Sequence, residues 1–198
     1  MIRFTFFGCL AAIVLALAVA GCSTTGGLGG SNAERTTSPS GEPLVRLQHD
    51  RPQDIDLSTA HDAPPDKVVP LEVEFATRNK EQLDQLIQEI NDPHSSHYQH
   101  FLTPEEMHAQ FGESQDQFNQ VLQWLQQQGF TITDKSYGTS ADYIRFKGSL
   151  AQIEKAFDVR IALPEFDHYA VRNDPAIPAK FNGVISRIVG LEEVGPLY

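Results

Sequence analysis

An α+β fold of the ferredoxin-like plan, a split βαβ whose antiparallel sheet carries its helices on one face, is predicted by three features of this sequence. Apolar residues alternate with polar ones in several short runs. Between those runs lie stripes in which apolar residues recur every three to four positions. The order is strand, helices, strand, strand, helix, strand, which a split βαβ unit satisfies by packing the helices together on the sheet.

The first strand begins at Val68, and Leu71-Glu72-Val73-Glu74-Phe75 alternates as a half-buried strand does. Asn79 then offers a cap for a helix whose Leu83, Leu86, Ile87 and Ile90 form one apolar stripe, ended by Asp92-Pro93. Thr103-Pro104-Glu105-Glu106 is a capping box with proline in the first turn, and Gly112 stops that short helix. Ser114, with Gln117 three residues on, opens a helix bearing Phe118, Val121, Leu122 and Leu125, which runs to Gly129. Trp124 lies beside that stripe, where a core role is expected of it. Phe130 and Ile132 alternate with Thr131 and Thr133. After a turn near Gly138, Ile144 and Phe146 alternate with Tyr143, Arg145 and Lys147, so the two runs predict a hairpin. Ser149 and Gln152 form a further capping box ahead of Leu150, Ile153 and Phe157, and Val159, Ile161 and Leu163 read as the last main strand. Helices on one face leave the other face open, and Glu72, Glu74, Thr131, Thr133, Arg145, Lys147 and Arg160 predict a polar surface there.

Everything upstream reads as addressing and tethering. Residues 1–21 have a positive start at Arg3, an apolar run from Phe4 to Ala20 and small residues before Cys22, the pattern of an export signal. Val19-Ala20-Gly21-Cys22 resembles the lipobox of bacterial lipoproteins, which implies lipidation of Cys22 and a mature chain beginning there. Each buried lipid methylene contributes about 0.8 kcal/mol, so two or three acyl chains hold a protein durably on a bilayer. Ser23 after the cysteine implies, by the same resemblance, sorting to the outer membrane in a cell that has one. Residues 22–67 are expected to be tether and linker: Gly26-Gly27-Leu28-Gly29-Gly30 cannot order itself, and 41–67 shows four prolines and no sustained period. The folded domain is expected over 68–198.

Charge narrows the function. A formal −11 argues against nucleic acid, whose phosphates call for a basic face, and favours a basic or neutral partner. The two cysteines, Cys9 and Cys22, both precede the folded region, so it contains no disulfide framework and no cysteine metal site.

Several segments in fixed order then carry a family likeness. Asp92-Pro93-His94-Ser95-Ser96-His97-Tyr98 leads into Leu102-Thr103-Pro104-Glu105-Glu106. Phe111-Gly112 and Ser114 precede Val121, Trp124-Leu125 and Gly129-Phe130-Thr131. Phe146-Lys147-Gly148-Ser149 continues to Ala156-Phe157, and Asp174-Pro175-Ala176-Ile177-Pro178 to Val189-Gly190-Leu191. Together, from about Val68 to Leu191, they resemble the activation domain, or propeptide, of the sedolisin and kumamolisin serine-carboxyl peptidases. His97 stands where the family usually has proline, and Ser149 where it often has threonine.

The resemblance implies a chaperone and inhibitor domain, normally fused ahead of a subtilisin-like catalytic domain with a Ser, Glu and Asp triad. It implies no cofactor. The sequence ends a few residues after Gly190-Leu191, where family precursors continue into the peptidase, and so reads as a natural orphan or as a fragment. The partner implied is a serine-carboxyl peptidase catalytic domain acting in trans. The segment Glu192-Glu193-Val194-Gly195-Pro196-Leu197-Tyr198 would enter its cleft, while domain carboxylates pair with its basic groups. Two other readings stay open: a surface scaffold or adhesion module reusing the fold, and the propeptide part of a split or truncated proenzyme, since one fold hosts many functions.

Two constellations invite other chemistry. Gly138-Thr139-Ser140-Ala141 resembles a serine-peptidase nucleophile motif, but Tyr137 precedes it, the proline is missing, and it falls on the hairpin turn, where Gly, Thr and Ser are ordinary. His94, His97 and His100, with His108 nearby, have a spacing that would align them on a helix as zinc ligands. Pro93 and the serine pair argue instead for a loop, so no metal is expected.

Overall fold

The computed structural model describes residues 36–38, 41–48, 58, 60–163 and 169–191. In chain order the elements are β1 (Leu44–Arg46), β2 (His61–Asp62), β3 (Val68–Phe75), α1 (Lys80–Asn91), α2 (Pro104–Phe111), α3 (Gln115–Gln127), β4 (Thr131–Ser136), β5 (Tyr143–Ser149), α4 (Leu150–Phe157), β6 (Ile161–Leu163), β7 (Ala170–Val171), β8 (Ala176–Pro178) and β9 (Ile185–Val189).

The main sheet has four antiparallel strands in the order β4-β5-β3-β9. Taken as the second, third, first and fourth strands of the unit, they have the ferredoxin-like order, so the α+β expectation is met. Alternation along β3 turns Val69, Leu71 and Val73 inward, and the register sets Leu71 opposite Phe146 and Val73 opposite Ile144. Against this face α3 packs Phe118, Val121 and Leu125, and α4 packs Leu150, Ile153 and Phe157, all within one core cluster. Trp124, 6% exposed, sits with its ring 5.6 Å from Phe157 and 5.5 Å from Phe181, inside the core as expected.

Local chemistry explains the helix starts. Thr103 and Ser149 both make complete capping boxes, with Glu106 and Gln152, and Ser114 accepts from the amide of Gln117. Asn79 differs. It precedes α1 in the left-handed conformation, its side chain caps nothing, and its amide reaches Gln110 O at 3.2 Å. Gly148 is needed for another reason: a Cβ there would lie 2.4 Å from the Phe130 ring, so only glycine lets β5 approach it.

Three expectations require correction. The fourth strand of the main sheet is β9, not the Val159 to Leu163 run. β6 belongs to a separate three-stranded sheet, β2-β6-β7, and buries both Ile161 and Ala162, so it does not alternate. Arg160 accordingly lies off the main sheet, its amide held by Asn173 Oδ1 at 2.8 Å. The stretch expected as linker also contributes to the body. β1 pairs with β8, β2 pairs with β6, and Leu47 is buried in the core cluster. Arg46 fastens β1 from the side: Nη1 donates to the carbonyls of Asp158 (3.1 Å) and Asp174 (2.7 Å), and Nη2 pairs with the Asp158 carboxylate.

Candidate partner-binding face

Side chains alternate across a strand, so the strands that bury Val69, Leu71, Val73, Ile144 and Phe146 present the intervening residues on the uncovered face. Antiparallel register then decides which of these meet. Glu72 lies opposite Arg145, Glu74 opposite Arg187, and Thr131 opposite Lys147. A bulge between Ile132 and Asp134 brings Asp134 opposite Arg145 as well, with Thr133 at the irregular position.

These juxtapositions become ion pairs. Arg145 Nε donates to Glu72 Oε2 at 2.6 Å, its Nη1 reaches Asp134 Oδ2 at 3.4 Å, and its guanidinium stacks 4.4 Å over the Tyr143 ring. Tyr143 donates its hydroxyl to Asp134 at 2.9 Å. Arg187 grips Glu74 with two hydrogen bonds, 2.7 and 3.1 Å. The hydrogen bond to Glu72 holds the Arg145 pKa above its ordinary value, and the bond to Asp134 raises that of the Tyr143 phenol. Exposed pairs of this kind add little stability; they fix side chains in place. On this face three acids and three bases are thus largely matched, and Glu72 and Glu74 already hold arginines of this chain.

At one edge of the face a pocket of about 200 Å³ opens between the end of β3, α2 and the β4–β5 turn. Asp142, nearly buried, accepts the amides of Gly138 (2.9 Å) and Thr139 (3.4 Å), which ties the turn around Ser140. That carboxylate closes a loop, and Ser140 itself is exposed. His108 Nδ1 lies 3.0 Å from Asp142 Oδ2. Glu113, 5% exposed, has its carboxyl pKa raised chiefly by burial, with the nearby Asp142 charge adding to this and the Ser114 amide and Arg78 opposing it.

His94, His97 and His100 lie on the exposed connection between α1 and α2, where His97 Nδ1 binds Glu89 Oε2 at 2.6 Å. Among the described residues no three His, Cys, Asp or Glu side chains are gathered as metal ligands. Cys22 and Glu192 to Tyr198 lie outside the described residues. Sequence reasoning missed Arg187 and the Tyr143–Asp134–Arg145 cluster. The alternation of charge on β5 marked one half, but the partners depend on register and on the bulge.

A sheet covered by helices on one face and paved with cross-strand ion pairs on the other defines a small α+β domain whose distinctive surface is an open sheet. The family model for the pro-kumamolisin activation domain matches residues 56–194, more than half of the chain, and the chain belongs to that family. The matched family is a propeptide activation domain, distinct from the catalytic domain of these peptidases. Its span begins upstream of Val68, in keeping with the pairing of β2. Tripeptidyl-peptidase sed1 of Aspergillus fumigatus is 30% identical over 88 residues, which covers 44% of this chain and 14% of that protein.

Proposed function

We propose that this chain is a non-catalytic, lipid-anchored activation domain that binds the catalytic domain of a sedolisin-type serine-carboxyl peptidase in trans, inhibiting it or assisting its folding. The observation that carries the reading is the family match over 56–194, joined to a sheet face that, among the described residues, lies opposite the one on which α3 and α4 pack. Side chains already fixed by ion pairs cost little to order on docking, which favours a rigid partner surface. The segment after Leu191, from Glu192 to Tyr198, is proposed to enter the peptidase cleft. Leu191 is fully buried, so the chain enters that segment from a fixed point. Lipidation of Cys22 is proposed to hold the domain at the cell envelope.

The test is inhibition of a panel of acid-active serine-carboxyl peptidases by residues 34–198, which fall in one compact unit, and by its Arg187→Glu variant. Inhibition that Arg187→Glu weakens is expected. Absence of inhibition, with no gain in refolding yield of the same peptidases, would refute the reading. The anchor is tested separately by palmitate labelling, which Cys22→Ala should abolish.

A further inference from the structure

The helix α1 is amphipathic yet buries none of its residues. Its ends are clipped to the body by backbone and side-chain bonds: Arg78 N to Phe111 O at 2.8 Å, Asn79 Nδ2 to Gln110 O at 3.2 Å, and Gln99 N to Ile90 O at 3.0 Å. Its apolar stripe is therefore held out from the core. Leu83, Leu86, Ile87 and Ile90 form one wall of a groove of about 460 Å³, and Phe101 and Met107 stand on the other. Ile87 is 45% exposed and Phe101 74%, an unusual state for large apolar side chains clustered together.

Charge says what can cover it. Between Lys80 and Glu106 the chain carries six carboxylates, Glu81, Asp84, Glu89, Asp92, Glu105 and Glu106, against the single Lys80. This stretch supplies a formal −5 of the chain's −11. On a helical wheel Asp84 flanks the stripe beyond Ile87 and Glu89 flanks it beyond Leu86. Asp84 binds Lys80 and Glu89 binds His97, but the surplus of negative charge around the groove persists. A second copy of this chain would bring the same charge, and an anionic bilayer would be repelled. The sheet face differs, its three acids being matched by three bases.

We propose that the groove between α1 and the 100–107 segment is a docking site for a cationic amphipathic helix of a partner protein. Its apolar stripe would lie against Ile87 and Phe101, with lysines or arginines toward the acidic rims, a helix-in-groove arrangement. This goes beyond the peptidase reading and does not depend on it, because the surface is not the open sheet.

The experiment titrates the protein into a fluorescein-labelled amphipathic helix of leucine and lysine, followed by anisotropy. A leucine and glutamate helix with the same stripe serves as the counterpart. Binding of the cationic helix is expected, weakening as salt rises, with none of the acidic one. Ile87→Asp makes the protein more negative, so plain charge attraction predicts tighter binding, whereas docking in the groove predicts a loss of at least about tenfold. Phe101→Ser is the second variant; its side chain is outside the core, so folding survives and the same loss is expected. Unchanged affinity in both variants, or equal binding of both helices, would overturn the proposal. So would a Phe101-dependent attachment to anionic vesicles in a protein that ignores the cationic helix.

Discussion

Replacing Arg46 with alanine tests whether the segment upstream of Val68 is part of the domain. In the native fold the guanidinium donates to two carbonyls and pairs with the Asp158 carboxylate, and the two side chains are only 21% and 14% exposed. Asp158 is also the left-handed residue that ends α4, so its position is constrained. Hydrogen bonds from a charged donor are worth about 1.5–3 kcal/mol each, and a half-buried carboxylate stripped of its cation adds a desolvation penalty. Water reaches the site in part, so the net loss is set at about 2–4 kcal/mol. For a domain of this size about 1 kcal/mol moves the melting temperature by 2–4 °C, which gives a fall of roughly 5–15 °C by circular dichroism. Arg46→Met with Asp158→Asn should cost less than the sum of the two single changes, because it removes the charge left behind. A shift of under about 2 °C for Arg46→Ala would refute the argument that β1 is fastened to the body.

Gly148→Ala should destabilise by about 1–3 kcal/mol, since its Cβ would strike Phe130 and crowd the Gln152 capping box; thermal unfolding measures it, and a neutral effect would contradict the packing. Glu113→Gln should raise the melting temperature at pH 7 and lose that advantage by about pH 3.5. The native carboxyl has its pKa raised by burial, so its relative contribution is best below the ordinary carboxylate range and is lost as pH rises through the folded value. Deleting Glu192 to Tyr198 should weaken peptidase inhibition about tenfold, the loss of one good contact, and leave the melting temperature unchanged; equal potency would sink the cleft-occupancy proposal.

What was legible in the sequence was what is local. Capping boxes at Thr103 and Ser149 involve residues three apart, and alternation in β3 and β5 reports a sheet with one buried face. β9 was hidden for a physical reason: its inward residues, Ile185 and Ile188, are three apart because the register shifts between Glu74 and Phe75. A strand read by strict alternation cannot show that. β1 and β2, three and two residues long, have no period to read, and their partners lie a hundred residues or more away. On the open face the residue types were visible, but the pairing of Glu72 with Arg145 joins positions 73 apart, and Asp134 reaches the same arginine only through a bulge.

The matched charges of the sheet face also govern the tempo of association. A surface whose acids and bases neutralise one another projects little field beyond a Debye length, so a partner arriving there is not drawn in from a distance. For a neutral partner its association rate should be that of unsteered docking, about 10⁵–10⁶ M⁻¹s⁻¹, and nearly indifferent to salt. Long residence would then have to come from slow departure, through shape and buried area. On the proposed docking through this face, partners would be discriminated after collision, by how long each one stays.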